Sequence, residues 1–293
     1  TGKSGIFNSK ITFIGRRKKG DFKQVFICNP DGSGLRQITK SKTIHLSPSW
    51  SPAGDKLLYT SYRARNPDLY LTDIENNSTI LISGKSGLNS GGVFSSNSKL
   101  IAFTGSTHGN SDIYIVKGGG GRRLPLLIGH GLDVDPSFSP DGKWLVYVSG
   151  RYGNPHIFRA ELLWNTIGSD VKVISNKRLT YAGWYNATPA WSPDSKTIAF
   201  AGFDKDIGRF DLFMMNHDGK NLERLTLNSG DNESPSFSPN GLLIAFQSNR
   251  IANSNRKGPI KLYLMNRDGT NQRQIPLDLY EAQTPKWSNY QGD

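Results

Sequence analysis

The chain has 293 residues, a single cysteine and a formal net charge of +12 at pH 7. One cysteine excludes an intrachain disulfide and a cysteine-built metal site, and no apolar run approaches the roughly 18 residues of a membrane-spanning helix. The positive charge favours an anionic partner, because net charge governs association rather than fold. We therefore expect no membrane insertion, and we expect Cys28 to be a small buried side chain.

The first predicted elements are three strands. Alternating apolar residues predict strands at 10–13 and 24–28, the sequence Asn29-Pro30-Asp31-Gly32 predicts a turn, and a short strand follows at 37–39. We name these strands B, C and D of a unit whose strand A is missing here. The visible N-terminus has no apolar signal-peptide segment.

A hairpin motif then recurs along the chain. In its clearest copy, at 136–147, Pro140 fixes φ, Asp141 can bond to the backbone and Gly142 accepts a positive φ, which predicts strand A, a tight turn and strand B. The first aromatic residue of each copy lies in strand A, at Trp50, Phe94, Phe138, Trp191, Phe237 and Trp287. A period in the forties with several short strands per unit indicates a β-propeller.

Strands C and D follow in each unit, and no stretch keeps a helical period over three turns. The last copy has strand A without B to D, so the two chain ends are predicted to share one blade. We predict an all-β protein, a six-bladed β-propeller of four-stranded antiparallel blades. It forms one domain over 1–293.

The loops between strands B and C and between strands D and A are predicted to share one face. Four units carry an arginine four residues after the closing aromatic, namely Arg17, Arg63, Arg151 and Arg250. Polar residues precede strand A and are expected around the channel mouth: His45, Asn89, Asp133, Asn186 and Asn232, with Asp135 and Glu233 nearby. Arginine binds carboxylates through its planar fork, so this face could dock an acidic segment. The arginines could equally connect neighbouring loops.

Motifs of several enzyme classes are missing from the sequence. Neither Gly-Lys-Ser copy, at 2–4 and 84–86, fits a phosphate loop, and there is no Gly-x-Ser-x-Gly nucleophile elbow. We predict no cofactor and no metal. We also predict no nucleic-acid partner, because few aromatic residues flank the basic loops. The segment 159–168 lengthens one C–D connection, and we predict a longer packed hairpin there rather than a contact site.

The repeat Pro-x-[Trp/Phe]-Ser-Pro-Asp-Gly-Lys, with Asn-x-Asp-Gly turns at 216–219 and 266–269, resembles the TolB-like β-propeller family over essentially the whole chain. The resemblance implies a periplasmic or otherwise extracytoplasmic propeller that binds proteins rather than catalyses, with a peptidoglycan-associated lipoprotein as the family's partner. The family's preceding α/β domain is not found in 1–293, and the copy at Gly92 lacks both prolines.

Two functional hypotheses follow. The first is a non-enzymatic, monomeric protein-binding propeller that docks an acidic protein or peptide segment on the loop face at the channel mouth. The alternative is a carbohydrate-active lyase or hydrolase acting on an anionic glycan, in which His45, His108 or His130 at the mouth would be the base or a metal ligand.

Overall fold

The computed structural model describes residues 5–107, 109–227, 230–251 and 254–290, without the side chains of residues 107 and 254–256. Within these residues, 24 strands form six four-stranded antiparallel sheets and there is no helix. The six sheets are the blades of a propeller, which confirms the predicted fold class.

Each blade runs from an inner strand A to an outer strand D, and the blades are numbered around the ring. Blade 1 contains β24 (Glu281–Trp287), β1 (Ile11–Arg16), β2 (Gln24–Cys28) and β3 (Arg36–Gln37). Blade 2 contains β4 (His45–Trp50), β5 (Lys56–Ser61), β6 (Asp68–Asp73) and β7 (Thr79–Ser83). Blade 3 contains β8 (Asn89–Phe94), β9 (Leu100–Thr107), β10 (Asn110–Lys117) and β11 (Leu124–Leu127). Blade 4 contains β12 (Asp133–Phe138), β13 (Trp144–Ser149), β14 (His156–Trp164) and β15 (Val171–Arg178). Blade 5 contains β16 (Tyr185–Trp191), β17 (Thr197–Asp204), β18 (Arg209–Asn216) and β19 (Glu223–Arg224). Blade 6 contains β20 (Asn232–Phe237), β21 (Leu243–Ile251), β22 (Ser254–Asn266) and β23 (Arg273–Gln274).

Blade 1 closes the ring with strands from distant parts of the sequence. Strand β24 pairs antiparallel with β1, and Ile11 lies opposite Trp287. The Trp287 indole Nε1 donates a hydrogen bond of 2.8 Å to Ser9 Oγ. The predicted sharing of one blade is therefore confirmed.

The hydrophobic core is divided into layers between neighbouring blades. Between blades 5 and 6, for example, Ala201 and Leu212 belong to the same buried cluster as Phe237, Phe246 and Met265. Cys28 is buried in the layer between blades 6 and 1, and burial, with a smaller effect of the Asp31 charge, raises the pKa of its thiol to about 12. The thiol is therefore an inert apolar group, as the sequence predicts.

Every strand A contains a β-bulge at the same place. The A–B register shifts in all six blades. The residue at the shift has a positive φ in each blade: Ser47, Gly91, Asp135, Thr188, Ser234 and Thr284. These six positions surround the central channel. The bulge also shifts the in–out alternation of the residues that precede it.

The segment 159–168 belongs to the long hairpin β14–β15. Its tip lies against blade 3, where Asn97 Nδ2 donates to Gly168 O at 2.9 Å and Lys99 Nζ donates to Ile167 O. The longer packed hairpin is thus observed.

Candidate protein-docking face

The B–C loops and the D–A connections meet on one side of the ring, which we call the loop face. At three junctions the first residues of strand A bond to the preceding blade's B–C segment: His45 N to Lys23 O (3.0 Å), Asn89 N to Pro67 O (2.9 Å) and Asn186 N to Pro155 O (2.9 Å). These bonds place the predicted polar positions and the predicted arginines on the same side of the molecule.

The polar residues predicted to precede strand A lie at its start and are buried. The exposed fraction of each is 3% or less: His45, Asn89, Asp133, Asn186 and Asn232. Ala282 occupies the sixth equivalent position and is also buried. These residues form an internal layer beneath the loops, and not the exposed ring at the channel mouth that the sequence predicts.

The junction between blades 5 and 6 shows how this layer is built. Asp211 is fully buried at the start of β18. Its Oδ1 accepts hydrogen bonds from Asn232 Nδ2 (3.0 Å) and Thr226 Oγ1 (2.8 Å), and its Oδ2 pairs with Arg209 and Arg224. A buried carboxylate is tolerated only with such compensation, so Asn232 is part of a structural network.

The other junctions use the same position with different partners. Asn89 Oδ1 accepts a hydrogen bond from Ser83 Oγ at 2.7 Å. The Asn186 amide nitrogen lies 3.0 Å from His156 Nδ1. Burial, and to a smaller extent the charge of Arg178, lowers the pKa of His156. His156 is therefore neutral near pH 7.

The four predicted arginines stack on aromatic rings of strand C in their own blades. The distances from guanidinium carbon to ring centroid are Arg17–Phe26 5.9 Å, Arg63–Tyr70 4.0 Å, Arg151–Phe158 5.2 Å and Arg250–Tyr263 4.6 Å. Stacking of this kind is a cation–π contact. It fixes the planar groups near the loop face.

Sequence reasoning missed two further arginines of this series. Blades 3 and 5 have Thr107 and Asp204 where the others have arginine. There the cation comes from near strand D, with Arg123 at 4.8 Å from Tyr114 and Arg224 at 5.8 Å from Phe213. The sequence contains no matched signal for them, because blade 4 has both Arg151 and Arg178, the latter at the position of Arg224, and Arg123 lies at a different position relative to its ring.

The four predicted arginines differ in how available they are to a ligand. Arg151 Nη2 pairs with Asp133 Oδ2 at 2.9 Å, and Arg250 Nη2 donates to Asn232 Oδ1 at 2.6 Å. Burial lowers the pKa of Arg250. Arg17 and Arg63 are exposed, whereas Arg151 and Arg250 are half-buried.

The central channel holds two opposite charges. A cavity of about 90 Å³ is lined by residues of all six inner strands, including Asp135 and Lys286. Asp135 is accessible from the lumen but surrounded by protein atoms, so burial raises the pKa of its carboxyl. Burial lowers the pKa of Lys286, and the Asp135 charge partly opposes that effect.

Glu233 lies near the channel on the loop face. Burial, and secondarily the charge of Asp231, raises the pKa of Glu233, while its hydrogen bond with Gln247 opposes the rise. Burial also raises the pKa of Tyr185, with contributions from Asp135 and Glu233. Asp135 and Glu233 thus both lie beside the channel, and burial favours the neutral form of each carboxyl.

Positive charge is concentrated over blades 1 and 2. The loop-face segments 16–23, 38–44, 62–67 and 84–88 contain ten cations and one carboxylate: Arg16, Arg17, Lys18, Lys19, Lys23, Lys40, Lys42, Arg63, Arg65 and Lys85 against Asp21. Arg16 and Lys23 share Glu281, and the other eight are exposed. By contrast, segments 204–209 and 227–233 contain Lys205 and Arg209 against Asp204, Asp206, Asp231 and Glu233.

The histidines considered for the glycan enzyme lie in different environments. His45 is buried and His130 is exposed, while His108 lies outside the described residues. Among the described residues, no three His, Cys, Asp or Glu side chains are grouped closely enough to hold a metal ion. The part of the chain that the structure describes also has no helix that could cross a membrane.

Comparison with curated proteins finds partial-length relatives. A "Protein TolB homolog" of Chlorobium luteolum is 36% identical over 162 residues, which are 55% of this chain and 36% of that protein. The "Tol-Pal system protein TolB" of Desulfosudis oleivorans is 40% identical over 122 residues, 41% of this chain and 27% of that protein. The matches thus span between about a quarter and slightly more than a third of these relatives' length. The Desulfosudis oleivorans relative is named as a component of the Tol-Pal system.

Comparison with solved structures and families gives matches along nearly the whole chain. The crystal structure of TolB from Acinetobacter baumannii superposes with a TM-score of 0.85 at 28% identity, covering 99% of this chain and 69% of that one. A putative TolB from Agrobacterium tumefaciens has the same fold, with a TM-score of 0.68 at 23% identity over 92% of this chain and 88% of that one. A family model described as "TolB beta propeller domain" matches residues 1–291. The chain belongs to the TolB beta propeller domain family.

Proposed function

We propose that this chain is a non-enzymatic, monomeric protein-docking propeller of the periplasmic Tol–Pal system. Its partner, which we propose to be a peptidoglycan-associated lipoprotein, docks an acidic segment on the loop face. Membership of the TolB beta propeller domain family and similarity to TolB proteins of the Tol-Pal system support the Tol–Pal assignment.

The observation that carries the acidic partner is the uneven charge of the loop face. Eight exposed cations lie over blades 1 and 2, where Asp21 is the one carboxylate of the same loop segments. Complementary charge accelerates encounter and suppresses wrong partners. The docking site is therefore centred over blades 1 and 2, away from Asp135 and Glu233 beside the channel.

Arg17 and Arg63 are the predicted arginines best suited to this role. Both are exposed, and aromatic stacking fixes each guanidinium so that less rotamer entropy is lost on binding. Arg151 and Arg250 act through their partners Asp133 and Asn232 by holding the loops in place.

The test uses immobilised protein and envelope extract, washed first at low and then at high salt, with captured proteins identified by mass spectrometry. The variant K18E/K19E/K42E reverses three exposed charges over blades 1 and 2 that do not stack on a described ring. The control K143E/K172E/K220E makes the same change in net charge with three exposed lysines away from the loop face.

We expect one protein to be retained at low salt, released at high salt and lost with K18E/K19E/K42E but not with the control. Screening makes such charge contacts weaker at high salt. Equal loss with both variants would show that net charge alone drives capture, and equal retention would contradict docking over blades 1 and 2.

A further inference from the structure

A deep groove opens between blades 1 and 2. Its cavity has a volume of about 810 Å³, within the range of small-molecule sites. One wall is the segment 36–41, from strand D of blade 1 into the following loop, and the other wall is formed by strands B to D of blade 2.

The blade 2 wall carries a chain of hydrogen-bonded polar groups. Arg63 Nη2 donates to Tyr59 OH at 3.0 Å, Tyr59 OH lies 2.9 Å from Thr72 Oγ1, and Thr72 Oγ1 lies 2.8 Å from Thr79 Oγ1. Tyr59 and Thr72 are buried, whereas Arg63 and Thr79 are exposed at the two ends. These hydrogen bonds thus orient the Arg63 guanidinium and the Thr79 hydroxyl, which a ligand can reach.

The equivalent groove between blades 4 and 5 is apolar on the same wall. Its cavity has a volume of about 650 Å³. The strand register gives the equivalent residues of the two walls: Phe200, Phe213, Met215 and Leu222 in blade 5 correspond in that order to Tyr59, Tyr70, Thr72 and Thr79 in blade 2. The Thr72 position is apolar in every other blade, with Cys28, Val116, Ala160, Met215 and Met265. The buried hydroxyls of Tyr59 and Thr72 are compensated by their hydrogen bonds, and they make this wall polar where the other blades place an apolar side chain.

The groove between blades 1 and 2 also has an excess of positive charge. Arg36, Lys40 and Arg63 line it with exposed side chains, against the carboxylate of Glu75. Arg36 Nη2 donates to Ile74 O at 3.0 Å, which holds this guanidinium across the groove.

A serine–histidine pair completes the wall near the loop face. The exposed Ser41 has its Oγ 2.8 Å from the Nε2 of His45. The Nδ1 of His45 is buried and makes no hydrogen bond within the described protein. Burial, and then the charge of Arg63, lowers the pKa of His45 to about 4, so this imidazole is neutral near pH 7.

We infer that the groove between blades 1 and 2 binds a small anionic sugar. The carboxylate or phosphate of the sugar pairs with Arg63, Lys40 and Arg36, and its hydroxyls bond to Ser41 and Thr79. This site shares Arg63 and Lys40 with the proposed protein-docking site, but it needs no macromolecule, so purified protein and small ligands test it separately.

Isothermal titration calorimetry with D-glucuronate and with glucose 6-phosphate tests the site directly. Glucose, which lacks the anionic group, and inorganic phosphate, which lacks the sugar, are the comparison ligands. Thr79→Leu introduces the residue that blade 5 has at this position, and Lys40→Ala removes an exposed cation, so both variants are expected to fold. Arg63→Ala removes the stacked guanidinium. Lys205→Ala in the groove between blades 4 and 5 is the matched control.

We expect at least one anionic sugar to bind more tightly than glucose and phosphate. Lys40→Ala and Arg63→Ala should each weaken it by about tenfold, as loss of a hydrogen bond to a charged group does, and Thr79→Leu by about threefold, as loss of a neutral hydrogen bond does. Lys205→Ala should leave the affinity unchanged. Tight binding of glucuronate but not glucose 6-phosphate would identify a carboxylated sugar, and the reverse a phosphorylated one. Three results would overturn the inference. They are no binding of either anionic sugar, inorganic phosphate binding as tightly as glucose 6-phosphate, and unchanged affinity in both Thr79→Leu and Lys40→Ala.

Discussion

One guanidinium over one aromatic ring of strand C is a unit of construction in all six blades. In four blades the arginine comes from the B–C loop, and in two it comes from near strand D, at Arg123 and Arg224. Every blade has this contact, although the arginine comes from different places in the sequence, so its first role is to stabilise the blade. Exposure then decides which arginines also face a ligand, and it favours Arg17 and Arg63.

Arg151→Ala tests the structural role of a predicted docking residue. Arg151 pairs with Asp133, whose side chain is 1% exposed, so the variant leaves a buried carboxylate without its cation. We expect the free energy of unfolding to fall by about 1–3 kcal/mol in urea titrations. The double variant R151A/D133N should recover most of this loss, because Asn occupies the equivalent position at 89, 186 and 232. If Arg151→Ala is as stable as the parent protein, the pair has no structural role.

At the scale of the element, the sequence predicts the strands well and the direction of some side chains poorly. Turn chemistry and alternation predict strands A to D because both depend on neighbouring residues. The residues that precede strand A were expected at the mouth, but the bulge at Ser47, Gly91, Asp135 and their equivalents changes the alternation. A single extra residue in a ladder is decided by pairing with strand B, so the sequence of strand A alone does not show it.

The long hairpin β14–β15 gives a prediction at this scale. Trp164 Nε1 donates to Gly142 O at 2.6 Å, and the indole lies 6.1 Å from the Phe138 ring. We expect Trp164→Ala to lower the free energy of unfolding by about 2–3 kcal/mol, since packing and a hydrogen bond are both lost. The neighbouring Leu163 points outward with 57% exposure, so Leu163→Ala should stay within about 0.5 kcal/mol of the parent. Comparable effects of both variants in thermal and urea unfolding would mean that the hairpin is not packed as described.

At the scale of the molecule, six blades with the same strand order carry a surface whose charge and polarity differ from blade to blade. The repeat positions build the ring and its buried layers, while the loops and grooves between them differ in charge and polarity. The blade count and the closure follow from the periodicity of Trp50, Phe94 and their equivalents, because a period is a property of the whole sequence. The groove at Thr72 and Thr79 could not be predicted, because the residues that form it are brought together by the register of strands B, C and D.

Closure of blade 1 should control the cooperativity of the whole ring. Strand β24 supplies Trp287 to the core between blades 6 and 1 and pairs with β1, so a variant that ends at Leu279 exposes an inner strand edge and opens that layer. We expect this variant to lose the single cooperative transition in thermal circular dichroism, and a synthetic peptide covering 280–290 to restore it by pairing with β1. Trp287→Ala, which keeps the strand but removes its largest side chain, should give an intermediate result, with a loss of about 3–5 kcal/mol. A truncated protein that melts at the parent temperature would show that five blades and an open sixth are stable by themselves, and that closure adds nothing to the stability of the ring.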